Sequence, residues 1–104
     1  VDIARLKAIR AKTDVHLVLH GGSGVPAEMI RQAIELPGGG ISKVNIATDL
    51  ELALLQALGR DERMTSAECD ALPADLLRRG RAAVQRIVEE KIEHYLGSKA
   101  KAIL

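Results

Sequence analysis

The sequence contains almost no aromatic residues, since its 104 residues include one Tyr, Tyr95, and no Phe or Trp. Its hydrophobic core must therefore be built from Leu, Ile, Val, Ala and Met. The aromatic platforms on which proteins stack single-stranded nucleic acid are excluded. Because 15 Lys and Arg nearly cancel 14 Asp and Glu, the strongly basic surface that binds duplex nucleic acid is absent as well. We expect no nucleic-acid partner.

Cysteine and long apolar runs are equally scarce. The single cysteine, Cys69, allows neither an internal disulfide nor a cysteine-rich metal site. No apolar run approaches the roughly 18 residues that indicate a membrane-spanning helix. Charged residues interrupt the N-terminal segment in which a signal peptide would lie. The sequence therefore predicts no membrane partner and a reducing, cytoplasmic location.

Along the chain, segments with a strand pattern alternate with segments with a helix pattern. Apolar, β-branched runs at 15–19 and 43–46 predict two short strands. A helical pattern follows each strand. The first is opened by Pro26 and ended by the glycine-rich segment 37–40, and the second is opened by a capping box with Thr48 as the N-cap. The near-continuous apolar character of both strands favours a parallel sheet that is buried on both faces.

Further helices flank this β-α-β-α unit. Apolar residues with helical spacing precede the first strand, and a long C-terminal helix is predicted from Pro73 to about Gly97. The segment 59–72 is polar and irregular, and it is predicted to be a connection. The fold class is α/β. Because two parallel strands do not form a stable sheet alone, we expect the chain, which begins at Val1, to be part of a larger α/β protein.

The first candidate site is the segment 20–24, with the sequence HGGSG. It places His20 at the C-terminal end of a strand, the position that faces the active site in an α/β barrel. The glycines let the backbone approach a ligand and turn its N–H groups toward an anion, and the Ser23 hydroxyl adds a donor. A metal ligand beside an anion-binding loop suits a phosphorylated substrate. From spacing alone, a strand-end histidine beside an ordinary tight turn is the alternative.

The second candidate site is the segment 43–49, which contains the second predicted strand. Strand alternation places Lys43, Asn45 and Ala47 on one side. The Asn45 amide can donate a hydrogen bond to an oxyanion or accept one from a hydroxyl. Thr48 lies at a helix N-terminus, where backbone N–H groups favour phosphate, although a plain capping role is equally compatible with this position.

The two sites together carry a resemblance to a known family. LHGGSGVP, followed 25 residues after its histidine by the Asn45 of KVNIATDL, resembles the C-terminal part of class II, metal-dependent aldolases, in particular the tagatose- and fructose-bisphosphate aldolases. This resemblance implies that residues 1–104 are the C-terminal fragment of a single (β/α)8 TIM barrel domain, with its last two strands and terminal helices. It also implies a homo-oligomer, either a dimer or a tetramer.

The resemblance implies a function in carbohydrate metabolism, glycolysis included. The complete protein would be a zinc-dependent lyase that reversibly cleaves a ketose 1,6-bisphosphate to dihydroxyacetone phosphate and an aldehyde phosphate. The family's other two zinc histidines and its proton-transferring Asp would lie upstream of the first residue, so the chain alone is expected to be inactive.

The resemblance also implies a role for each matching residue. His20 would be one of three histidines that hold the catalytic Zn²⁺. Gly21 and Ser23 would bind the substrate phosphate and contribute backbone carbonyls to a site for Na⁺ or K⁺. Asn45 would be catalytic, since it would bind the phosphorylated dihydroxyacetone portion and stabilise its enediolate. Thr48 would complete the phosphate pocket.

Two positions depart from the family pattern. Fructose-type members often carry Asp where this chain has Ala47, so a tagatose-like or other ketose specificity stays open. Members also tend to have an Arg that reaches the distal phosphate of a neighbouring subunit's substrate, at the position of Ala74. Arg78, Arg79 or Arg81 could replace it, or these could be solvated helix charges.

Two other functions compete with the zinc aldolase. A Schiff-base aldolase would use Lys43 as its nucleophile, because a desolvated strand lysine can form an imine. A truncated, non-catalytic chain would serve only to bind phosphate or to oligomerise. His16, His94 and Cys69 are predicted to have no part in the site.

Overall fold

The computed structural model describes residues 1–102. Its elements form two compact units, the first made of Val1–Ile46 with the segment that begins at Lys91, and the second of Ala47–Glu90. The predicted α/β class is confirmed. The elements, in chain order, are α1 (Ile3–Arg10), β1 (Leu17–Leu19), α2 (Ala27–Ile34), β2 (Ile41–Val44), α3 (Ala47–Ala57), α4 (Ser66–Asp70), α5 (Ala74–Glu90) and a π-helical turn (Lys91–Tyr95).

The sheet of the first unit contains β1 and β2, which pair in parallel as the sequence predicts. Leu19, the last residue of β1, lies opposite Val44, the last residue of β2. Parallel pairing brings the C-terminal ends of both strands to the same edge. His20 and Asn45 are the next residues along the two strands, so they leave the sheet side by side.

Both strands are displaced from their predicted limits. β1 begins at Leu17 and not at the predicted Val15. The Val15 carbonyl accepts a hydrogen bond from Arg10 Nη1 at 3.0 Å, so it is bonded outside the sheet. β2 begins at Ile41, earlier than predicted, because this β-branched side chain is buried with 7% of its surface exposed. β2 then ends at Val44.

The sheet does not show the predicted burial of both faces. Within residues 1–102 it has two strands, and Val18 in β1 is 46% exposed. The reason is that these residues supply one covering layer, the helix α2, which contacts β2. The core of the first unit consists of Ile30, Ala33, Leu36, Ile41 and Tyr95.

The second unit is built on the packing of α3 against α5. Gly80 allows this close approach, since a Cβ atom there would lie 2.5 Å from Leu54 Cδ1. Leu55 and Ala83 are the buried apolar residues of this unit. Both helices confirm the predicted helical patterns.

The predicted capping box at Thr48 is wrong. Helix α3 begins at Ala47, so Thr48 lies inside the first turn and not at the N-cap. The backbone N–H groups of a first turn have no partner within the helix. Thr48 is therefore still placed among donors that can meet an anion.

The predicted irregular connection contains a short helix, α4. Thr65 is its N-cap, and its hydroxyl oxygen accepts a hydrogen bond from the Glu68 N–H at 3.1 Å. Thr65 and Glu68 have the spacing of a capping box, which is the sequence signal for this short helix. Arg60 lies 2.6 Å from the Glu68 carboxylate, and this hydrogen bond lowers the pKa of Glu68.

The predicted C-terminal helix changes its geometry before it ends. Helix α5 stops at Glu90, and a π-helical turn covers Lys91–Tyr95. The Leu96 N–H bonds to the Lys91 carbonyl at 2.7 Å, five residues earlier, where an α-helix would bond four residues earlier. Among the described residues, no helix has the length and apolar character needed to cross a membrane.

Candidate functional site

The centre of the candidate site is the contact between His20 and Asn45. Asn45 Nδ2 lies 2.8 Å from His20 Nδ1. The backbone holds this contact in place, because the Asn45 N–H donates to the Leu19 carbonyl at 3.0 Å and so continues the parallel pairing beyond the strand ends. Asn45 is half-buried, and His20 is exposed. A fixed amide thus orients a ring that solvent and ligands can reach.

The amide determines which nitrogen of the imidazole is available to a ligand. With Asn45 Nδ2 as the donor, His20 Nδ1 accepts, and the proton of a neutral ring lies on Nε2. If the amide turns by half a rotation, its oxygen accepts from an Nδ1–H, and the Nε2 lone pair becomes available. A partner of this kind is typical of metal-binding histidines, whose ring orientation and tautomer it sets.

The glycine loop lies directly beside this pair. Gly21 has a φ of +68°, a backbone conformation that glycine adopts without strain. The Gly22 N–H donates to the Asn45 carbonyl at 2.9 Å. Asn45 therefore holds both the histidine, through its side chain, and the loop, through its backbone.

The structure brings four of the five predicted site residues together in the first unit. His20, Gly21 and Ser23 follow β1, and Asn45 follows β2, all at the C-terminal edge of the sheet. Thr48 is exposed and belongs to the second unit. Its part in the phosphate pocket stays a prediction.

The described residues supply one candidate metal ligand at this edge. Among residues 1–102, no group of three or more His, Cys, Asp or Glu side chains is placed to hold a metal ion. His20 itself has the properties of a zinc ligand, since it is an exposed imidazole with a hydrogen-bond partner on its other ring nitrogen. The residues at this edge are thus compatible with one histidine ligand of a metal ion.

One residue that touches the loop was not predicted from the sequence. Tyr95 is 3% exposed, and its hydroxyl donates to the Gly22 carbonyl. The available signal was composition, because Tyr95 is the one aromatic residue of the chain and a buried Tyr usually finds a partner for its hydroxyl.

Three further residues, which the sequence predicts to have no part in the site, have the following positions. His16 precedes β1, and its Nδ1 lies 3.0 Å from Ser42 Oγ. His94 is exposed on the π-helical turn, and Cys69 is half-buried in the second unit. Lys43, the nucleophile of the alternative Schiff-base mechanism, lies in β2 and is exposed.

Two comparisons with known proteins bear on this site. A family model described as Fructose-bisphosphate aldolase class-II matches residues 1–101. The X-ray crystal structure of the YdjI aldolase from Escherichia coli K12 is similar, with a TM-score of 0.74 and 36% sequence identity. The alignment covers 99% of this chain and 36% of the YdjI chain, so this chain spans little more than a third of that aldolase.

Proposed function

Because this chain belongs to the class II fructose-bisphosphate aldolase family, we propose that the complete protein is a zinc-dependent aldolase. It reversibly cleaves a ketose 1,6-bisphosphate to dihydroxyacetone phosphate and an aldehyde phosphate. This chain contributes the last two strands and the terminal helices of a (β/α)8 barrel. A cytoplasmic location and a homo-oligomeric state belong to the same proposal.

The observation that carries the proposal is the 2.8 Å contact between His20 and Asn45 beside the glycine loop. It combines a metal-competent imidazole, an amide and a row of backbone N–H groups at one end of two parallel strands. In barrel enzymes this is the end that carries the active site. The combination suits a substrate that has both a carbonyl and a phosphate.

Each residue of the edge has a separate task in this proposal. His20 contributes one ligand to Zn²⁺, which when bound supplies Lewis-acid polarisation of the ketose carbonyl. Gly21 and Ser23 bind the substrate phosphate through N–H and hydroxyl groups, and their carbonyls contribute to a site for Na⁺ or K⁺. Asn45 orients the dihydroxyacetone portion through its amide. Thr48 adds a donor to the phosphate pocket.

The exposed sheet supports the barrel part of the proposal. Val18 lies in the middle of an apolar strand and is 46% exposed, although strands of a barrel are covered by neighbouring strands and helices. Further barrel strands would cover it in the complete protein. Ala47 leaves the sugar open, so tagatose-type and fructose-type substrates are both part of the proposal.

A Schiff-base mechanism through Lys43 is the competing enzyme proposal. It requires a lysine nucleophile that is activated by desolvation or by a neighbouring cation, whereas the histidine, the glycine loop and the amide at the strand ends need no lysine. We expect that borohydride, added to the complete protein during turnover, leaves Lys43 without a covalent adduct by peptide mass spectrometry. We also expect the K43M variant to retain its turnover within about twofold, because the zinc mechanism assigns no step to this lysine.

A trapped adduct on Lys43, together with activity that resists chelators, would overturn the zinc proposal in favour of an imine mechanism. A third possibility, that the chain only binds phosphate or oligomerises, requires a complete protein that binds inorganic phosphate and releases no dihydroxyacetone phosphate from any ketose bisphosphate.

A further inference from the structure

Tyr95 reaches the glycine loop from the C-terminal segment of the chain. Its ring is buried with 3% of the residue exposed, and its hydroxyl donates to the carbonyl of Gly22. We infer that Tyr95 is a positioning residue that fixes the glycine loop for phosphate and cation binding. The inference rests on the proposed function, which assigns the neighbours of Gly22 to those two ligands.

Gly22 is the residue through which such positioning acts. Its N–H donates to the Asn45 carbonyl at 2.9 Å, and its carbonyl accepts from the Val25 N–H at 3.3 Å as well as from Tyr95. A Cβ atom at Gly22 would overlap Val44 Cγ1 and lie 3.0 Å from the Asn45 carbonyl oxygen. Both peptide groups of this buried glycine are therefore held against fixed partners.

The hydrogen bonds that fix Gly22 determine the direction in which its neighbours present their backbone groups to a ligand. Gly21 and Ser23 share peptide bonds with Gly22, so the orientation of Gly22 sets the direction of the adjacent N–H and carbonyl groups. Gly21 has a φ of +68°, where glycine has unusual freedom. A loop with this freedom needs an external restraint to present its backbone in one conformation, and the Tyr95 hydroxyl supplies one.

The π-helical turn supplies the geometry that holds Tyr95. Tyr95 is its last residue, and Lys91 Nζ lies 3.9 Å from the ring centroid, a cation–π contact across the wide turn. The Ser98 N–H bonds to the Ile92 carbonyl at 2.8 Å and closes the segment behind the ring. Isolated π-helical turns occur frequently at functional sites, and here the turn delivers one hydroxyl to one loop carbonyl.

The test uses the Y95F variant of the complete protein, which keeps the ring and removes the hydroxyl. We expect amide hydrogen exchange in residues 21–24 to become about tenfold faster, because the loop loses one buried hydrogen bond. We expect the Kd for inorganic phosphate and the half-saturating K⁺ concentration to rise by about the same factor. Zinc content is expected to stay unchanged, because His20 keeps its contact with Asn45.

The control is L55V, a conservative change at a buried residue of the second unit. It is expected to lower stability, but the loop and Tyr95 belong to the first unit, so loop exchange and phosphate affinity should stay unchanged. Unchanged exchange and phosphate affinity in Y95F, or equal changes in L55V, would overturn the inference. The exchange measurement does not depend on catalysis. A protein that cleaves no ketose bisphosphate would therefore refute the proposed function, while the exchange result would still show whether Tyr95 positions the loop.

Discussion

The H20A variant of the complete protein is expected to lose most of its zinc and about a thousandfold of its aldol cleavage. The reason is that a metal contributes several kcal/mol of transition-state stabilisation as a Lewis acid, and each 1.36 kcal/mol corresponds to a tenfold change in rate. The measurement is zinc content by mass spectrometry of the purified protein, together with the rate of dihydroxyacetone phosphate release.

The chain offers a matched control for this variant in H16A. His16 also faces a polar side chain of the neighbouring strand, since its Nδ1 lies 3.0 Å from Ser42 Oγ, but it precedes β1 whereas His20 follows it. H16A should keep its zinc and its turnover. Stoichiometric zinc with near-normal turnover in H20A would contradict the assignment of His20 as a ligand.

The N45A variant is expected to lower turnover about a hundredfold or more, which is the effect of removing one preorganised hydrogen-bond donor from an active site. Zinc content should fall much less than turnover. A residue that orients a metal ligand typically contributes about 10- to 100-fold in metal affinity, and a metal that is bound tightly stays near stoichiometric after a loss of this size. The measurement is kcat together with zinc content on the same preparation.

S42A is the control for the loss of a polar partner of a histidine, and it should change neither quantity. If N45A loses zinc and turnover in equal proportion, Asn45 only holds His20 and the backbone in place. That outcome would remove Asn45 from the proposed chemistry and leave it as a structural residue.

The placement of His20 and Asn45 at one edge could be predicted, because the C-terminal ends of parallel strands lie at the same edge of a sheet. Once 15–19 and 43–46 are interpreted as parallel strands, His20 and Asn45 must meet at the same edge. The structure confirms this, with Leu19 opposite Val44 and the two site residues next along the strands. The direct hydrogen bond between the two side chains was not predicted, since it depends on a register of single residues.

The parts that the sequence did not predict depend on tertiary contacts. Arg10 determines where β1 begins, because its guanidinium donates a hydrogen bond to the Val15 carbonyl. The burial of Ile41 determines where β2 begins. Neither contact can be inferred from the local sequence pattern. The π-helical turn is a similar case. The spacing of apolar residues near Tyr95 fits an ordinary helix, whereas the backbone bond from Leu96 to Lys91 and the contact of Tyr95 with Gly22 form only in the folded chain.

We propose that the edge formed by His20, the glycine loop and Asn45 belongs to a zinc-dependent aldolase site. The most direct test is the release of dihydroxyacetone phosphate from tagatose 1,6-bisphosphate and fructose 1,6-bisphosphate by the complete protein, before chelation, after chelation and after Zn²⁺ is restored. Release from at least one sugar that disappears on chelation and returns with Zn²⁺ is the predicted result. Release that persists without metal, or no release from either sugar by a zinc-loaded protein, would contradict the claim.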